Sequence, residues 1–295
     1  PPTLSTATNA AMNSGPLAAT RQASVATNRR SAATAMAEKE GSGALHAMDY
    51  LVYAQLQLAN DKDAGAVMQD ANRITVANPN IISSWYSLAA MPARIAIERG
   101  LWKEAAQLEP RPSKLPFTEA ITYFARALGA ARGGDPAAAD NGVQQLQKIE
   151  DGLKTAKNNY WATEVAGQRL SAAAWTGFAK GNRDEALKLM RAAADMEDKS
   201  EKHAVTPGRL LPARELLGEM LLEMNRPAEA LQEFEAAEKH DPNRFRGLYG
   251  AGKAATLAGD QAKAKSYFEK LVALTKSADT ERPEIQEAKS FLAKK

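Results

Sequence analysis

Gly247, Gly252 and Lys253 stand in the spacing of a phosphate-binding loop, whose backbone N–H groups wrap the phosphates of a nucleotide. Ala254 breaks the pattern, because magnesium there needs a Ser or Thr hydroxyl, and no strand precedes the segment. Histidine offers a second chemistry. His46, His203 and His240 are the three in the chain, and Asp49 lies on the same helical face as His46. His46, Asp49 and His203 are therefore weak candidates for a metal or small-ligand site, provided that the polar stretch 198–210 folds back over the first two. His240 falls near a helix C-terminus, where a cation is favoured by the helix dipole. No Ser, His and Asp grouping, paired catalytic carboxylates or zinc-protease helix is present. The chain also lacks cysteine, which removes thiol nucleophiles, disulfides and thiolate ligands. We read no enzyme here, no catalytic residue and no cofactor.

The elements that must carry these residues are helices. Aromatics are few at 6%, alanine is abundant, and no segment alternates apolar and polar residues with period two long enough for a sheet. The strongest regularity is a repeat. Gly218 and Gly252, Ala230 and Ala264, and Phe234 and Phe268 are each 34 residues apart, with Pro242 closing the unit. A small residue in one helix, Ala and Phe four apart in the next and a closing proline form the period of a paired-helix repeat. Upstream, Ala105 and Ala139 repeat the spacing, each preceded by a glycine turn at Gly100 or Gly134. Another unit centres on Ala186. The wider gaps around Ala186 fall in the polar stretches 150–159 and 198–209, expected to be longer loops or helix extensions. Pro110, Pro112 and Pro116 stop the helix beginning near Trp102 by Glu109. Leu45, Met48, Leu51, Val52 and Leu56 form one helical face before the turn Asn60–Asp63, and Val67, Met68, Ala71 and Ile74 form its partner, ending at Asn78 and Pro79.

By these motifs the chain resembles the tetratricopeptide repeat superfamily. The segments Ala44–Tyr53, Thr118–Gly134 and His203–Gly218 are similar to segments of uncharacterised bacterial members, some longer at the N-terminus and exported. The resemblance implies an all-α fold, a right-handed solenoid of antiparallel helix pairs. It also implies a bacterial source and a scaffold rather than an activity. We expect an irregular segment over residues 1–16, about six helix pairs over 17–282, with one or two helices in 17–40, and a capping helix over 283–295. In that cap Pro283 suits a first turn, and Ile285, Ala288 and Leu292 make one narrow apolar stripe.

A solenoid places its first helices on a concave wall suited to an extended or helical peptide. Repeat register puts Tyr53, Arg94, Phe124, Leu128, Gln168, Trp175, Glu215, Glu219, Arg246, Tyr249 and Lys253 on that wall, with His46, Asp49, Ser87 and Ser171 beside them. Chaperone-adaptor members of the superfamily hold an acidic C-terminal tail with a carboxylate clamp; Glu215 and Glu219 disfavour that ligand by like charge. Trp85, Trp102 and Trp161 are expected to pack between repeats, and Trp175 to face the groove.

The 38 basic and 35 acidic residues are spread through the chain, giving +3 without a basic cluster, so nucleic acid is not implied. No apolar run reaches the roughly 18 residues of a membrane helix. The absence of cysteine fits a reducing or an oxidising compartment equally. Pro1 in place of Met suggests a processed or truncated chain, cytoplasmic or exported after loss of a signal peptide. The leading reading is a non-enzymatic scaffold or adaptor whose partner is a protein segment. The alternatives are the small-ligand or metal site around His46 and Asp49, and the regulatory part of a longer bacterial protein.

Overall fold

In the computed structural model, residues 41–74 and 80–294 are described. The expectations for residues 1–16 and 17–40, and the end of the first pair at Asn78 and Pro79, lie outside them. Among the described residues there are thirteen helices and no strand. They pair as α1 Gly41–Gln57 with α2 Asp61–Ala71, α3 Ile82–Glu98 with α4 Trp102–Ala106, and α5 Pro116–Arg132 with α6 Pro136–Thr155. Then come α7 Asn159–Ala179 with α8 Arg183–Glu197, α9 Ala213–Glu223 with α10 Pro227–His240, and α11 Phe245–Leu257 with α12 Gln261–Leu274. Pro283–Ala293 forms the cap α13. Each odd-numbered helix packs on the next odd-numbered one, while the even-numbered helices sit outside and bridge to the following hairpin. Among the described residues that is a solenoid of six antiparallel pairs with a capping helix.

One turn makes every hairpin. The second residue after the first helix has positive φ in all six: Ala59 (58°), Gly100 (64°), Gly134 (87°), Gly181 (85°), Asn225 (58°) and Gly259 (83°). The next backbone N–H reaches back across the turn, as Asp135 N does to Ala130 O at 2.8 Å and Asp260 N to Ala255 O at 2.9 Å. This geometry satisfies carbonyls that a helix end leaves open. Five residues beyond each turn stands an alanine, at 64, 105, 139, 186, 230 and 264, each at most 1% exposed. Its methyl sets the closest approach of the two helices, so a larger side chain there would push the hairpin apart. The starts are prepared too: Pro116, Pro136, Pro227 and Pro283 occupy first turns. Asp135 and Asp260 cap α6 and α12 by accepting from Ala138 N and Lys263 N.

Aromatic rings set against bare backbone join helices within hairpins and between them. Phe234 on α10 is fully buried, and a Cβ added at Gly218 or Gly250 would fall 2.7 Å or 2.3 Å from its ring. Phe268 on α12 meets Gly252 in the same way, at 2.6 Å. Van der Waals contact at such positions is available only to glycine. The phosphate-loop pattern is therefore helix packing: Gly247 through Ala254 are helical, within α11. The stretch 150–159 lengthens α6 and α7, whereas 198–212 is a loop.

Candidate functional site

The inner layer curls until its two ends meet. The α1–α2 turn and the C-terminal ends of α3 and α5 reach α9, the start of α11 and the segment after α12, so the wall expected to be an open trough is filled from within. Physical necessity explains what fills it: buried charges persist only when paired and hydrogen-bonded.

The spine of paired charges begins at Asp49 on α1 and Arg94 on α3, which are 0% and 1% exposed and meet at 2.9 Å. Arg94 also donates to Thr206 Oγ1 at 2.5 Å, to Gly208 O at 2.9 Å and to Arg209 O at 3.1 Å. The 198–212 loop thus folds back onto the wall, and Tyr50 OH donates to Ala204 O at 3.0 Å. The Tyr53 ring lies between two guanidiniums, with Arg94 5.5 Å and Arg244 5.6 Å from its centre. Arg244, at the start of α11, is shared by Glu98 of α3 and Glu215 of α9, both at 2.8 Å, and all three are buried. Gln57 donates to Glu98 and accepts from Phe245 N at 2.8 Å. Farther along, Arg246 pairs with Glu219, Arg132 pairs with Glu219 at 2.9 Å and Glu223 at 3.0 Å, and the Arg132 guanidinium lies 4.0 Å from Trp175 and 4.6 Å from Trp102.

The protonation of these groups follows from their surroundings. Burial pushes Glu215 up to about 7, Arg244 opposing it and Glu98 adding to it. Burial likewise raises Asp49 against the pull of Arg94. At Glu219 burial is outweighed by Arg246 and Arg132, which hold it below the usual carboxylate range. Two carboxylates sharing one guanidinium behave differently from one carboxylate between two guanidiniums.

Of the residues assigned to the wall, Tyr53, Arg94, Trp175, Glu215, Glu219 and Arg246 come together on this spine. Phe124 and Leu128 belong instead to the main apolar cluster, 2% and 0% exposed, because their side of α5 faces neighbouring helices. Tyr249 turns to the cap, donating to Glu287 at 2.5 Å, with Lys253 Nζ 3.3 Å from its hydroxyl. Gln168 lines a cavity of about 50 Å³ between α7, α8 and the 198–212 loop, with Phe124, Ser171, Glu197 and Lys202; at roughly 10–15 Å³ per water, it is large enough for a few waters. Burial raises Glu197 there to about 8.

The metal candidates are placed otherwise. The loop does approach Asp49, but Arg94 takes the position beside the carboxylate that a metal would need. His46 lies 5.1 Å from the Tyr50 ring, and His203 stacks near Trp161 at 5.2 Å and accepts from Val205 N through Nδ1. Among the described residues no group of three or more His, Cys, Asp or Glu side chains could hold a metal.

Sequence reasoning missed Glu98, Arg132, Glu223 and Arg244. They sit at the ends of inner helices, outside the repeat register, and the sole signal was a charged residue at a helix end. Trp102 packs against the main apolar cluster, as expected of a residue between repeats, and also lies beneath Arg132 and within 5.7 Å of Arg246.

No family model matches the chain, and no curated protein matches it by sequence. Solved structures do resemble it. A putative kinesin light chain of nearly identical TPR-like repeats from Podosopora anserina is 14% identical with a TM-score of 0.37, over 70% of this chain and 100% of that one. A tetratricopeptide repeat protein from Parabacteroides merdae ATCC 43184 is 13% identical with a TM-score of 0.35, over 91% and 98%. The fold reading rests on the hairpin stack itself: six pairs with one turn geometry make this a tetratricopeptide-like α-solenoid. Among the described residues no helix is long and apolar enough to cross a membrane.

Proposed function

We infer that the chain is a non-enzymatic scaffold that binds a protein segment along its inner wall. The observation that supports this is a set of buried polar atoms without a hydrogen-bond partner, Asp49 Oδ2, Ser87 Oγ, Gln168 Oε1 and Glu215 Oε2, each on a different inner helix. Each such atom costs about 1–3 kcal/mol while unpaired, so a guest that supplies donors gains that much at each. The spine holds the carboxylates of Asp49, Glu98, Glu215, Glu219 and Glu223 against Arg94, Arg132, Arg244 and Arg246. The unpartnered acceptor oxygens of Asp49 and Glu215 favour a segment carrying lysine or arginine donors.

A photoreactive side chain at Thr163, exposed beside the cavity, tests the reading against one at Asp184 on the outer helix α8. Offered a pool of lysine- and arginine-rich peptides, position 163 crosslinks and position 184 does not. No crosslink at 163, together with a small molecule retained or turned over by the purified chain, removes it.

A further inference from the structure

The first hairpin lacks a part that two of its siblings have. At the position where Asp135 and Asp260 cap their own helices, α2 is preceded by Asn60, whose side chain makes no cap bond and donates instead to Gln55 at 2.8 Å. The cap comes from the other end of the chain: Asp279, in the segment after α12, accepts from Lys62 N at 3.1 Å and Asp63 N at 3.0 Å. Thr280 donates to Asp61 and to Ala59 O. Arg282, 2% exposed, donates to Leu56 O at 3.0 Å and pairs with Asp61 at 2.5 Å, and its guanidinium covers the Phe245 ring at 4.3 Å. Arg282 and Thr280, with Arg99 also beside it, outweigh burial and hold the Asp61 carboxyl below its usual range.

The turn residue itself is adapted to this contact. Ala59 holds φ 58° where four of the six turns use glycine, a conformation that costs a Cβ-bearing residue roughly 1–2 kcal/mol. Its methyl is fully buried in the C-terminal apolar cluster with Phe245, Leu248 and Phe268. The strain is thus set against packing that exists only while the two ends touch.

We propose that residues 275–282 are a clasp, holding the solenoid closed by capping α2 and pairing with Asp61, and that release of the clasp uncovers the inner wall. Access of a guest rests on the scaffold reading above; closure of the chain does not. A solenoid joined only by neighbouring repeats opens and flexes as a spring, whereas this one has its ends fastened.

The test uses the full chain with Asp279→Ala and Arg282→Ala together, a pair that leaves Arg99 beside Asp61. Expected are an unchanged helical circular dichroism spectrum, a larger radius of gyration by small-angle X-ray scattering, and loss of hydrogen-exchange protection at the amides of Lys62 and Asp63. A complementary variant, Lys62→Cys with Asp279→Cys, locks the clasp by oxidation in a chain otherwise free of cysteine. Locking is expected to abolish peptide crosslinking at position 163, and reduction to restore it. An unchanged radius with intact protection in the first variant overturns the clasp. So does peptide crosslinking that is present and equal in the locked and reduced forms of the second. Opening of the chain with no peptide captured in any form supports the clasp and removes the scaffold reading instead.

Discussion

Two interfaces hold this molecule, and they obey different physics. Within hairpins and between successive ones the contacts are apolar and local: an alanine five residues after each turn, and a phenylalanine ring laid on glycine. Along the inner wall they are ionic and distant, joining Glu98 to Arg244 across 146 positions, and at the clasp Arg282 pairs with Asp61 across 221. The apolar seams explain why hairpins stack at all, since burial of non-polar area favours any stacked arrangement roughly in proportion to area. The ionic spine adds geometry. A buried guanidinium is tolerated only where its carboxylates lie within hydrogen-bond reach, so one curvature satisfies it and others leave charges stranded.

The sharpest way to break that contrast is to remove the shared cation. Arg244→Met should destabilise the chain by about 3–5 kcal/mol, because Glu98 and Glu215 are then buried without a partner. Converting Glu98 and Glu215 to Gln in the same chain should recover most of that loss. Chemical denaturation of the single and triple variants measures both, and recovery distinguishes stranded charge from lost packing.

The pH dependence should separate the two regions next. Glu215 is raised to about 7 by burial. Between the unfolded carboxylate value and about 7 the folded chain therefore holds a proton that the unfolded chain releases, and stability falls as pH rises through this window. At 1.36 kcal/mol per unit the effect is at most about 3 kcal/mol. Asp61 and Glu219, held low, act in the opposite sense and lose their stabilisation only in stronger acid. Melting curves from pH 4 to 8, repeated with Glu215→Gln, should show the slope in the parent chain and a smaller one in the variant, where Glu197, raised to about 8, keeps the remainder.

A smaller perturbation belongs to the apolar seam. Gly250→Ala places a methyl against the Phe234 ring and should cost about 1–3 kcal/mol, without altering the pH slope. Smallest is a comparison of one turn in two places. Asn225→Gly relieves a left-handed residue and should stabilise by about 0.5–1 kcal/mol. Ala59→Gly relieves the same strain but removes a buried methyl worth about 0.8 kcal/mol, so no gain is expected. A clear gain at Ala59 would show that its methyl contributes nothing to the closed form.

The seams were legible in the amino-acid order and the spine was not. Ala105, Ala139, Ala186, Ala230 and Ala264, with the turns before them, mark five of the six hairpins, because turn and packing position lie a fixed few residues apart. The prolines at 110–116 correctly shorten α4. The inner-wall register found Arg94, Glu215, Glu219 and Arg246, since a helical period assigns faces. It could not supply Arg244 or Asp279. Which distant residues meet depends on the small rotation of each hairpin on the last, summed over six, and no local pattern records that sum. For the same reason a trough was expected where the wall is in fact closed.

The most direct test is a double-mutant cycle between Glu98 and Arg244, using Glu98→Gln and Arg244→Met singly and together. A chain with fastened ends should show a coupling energy of about 1–3 kcal/mol between these residues of the second and sixth pairs. Additive effects, with coupling indistinguishable from zero, would mean that the buried ion pair does not fasten the second pair of helices to the sixth.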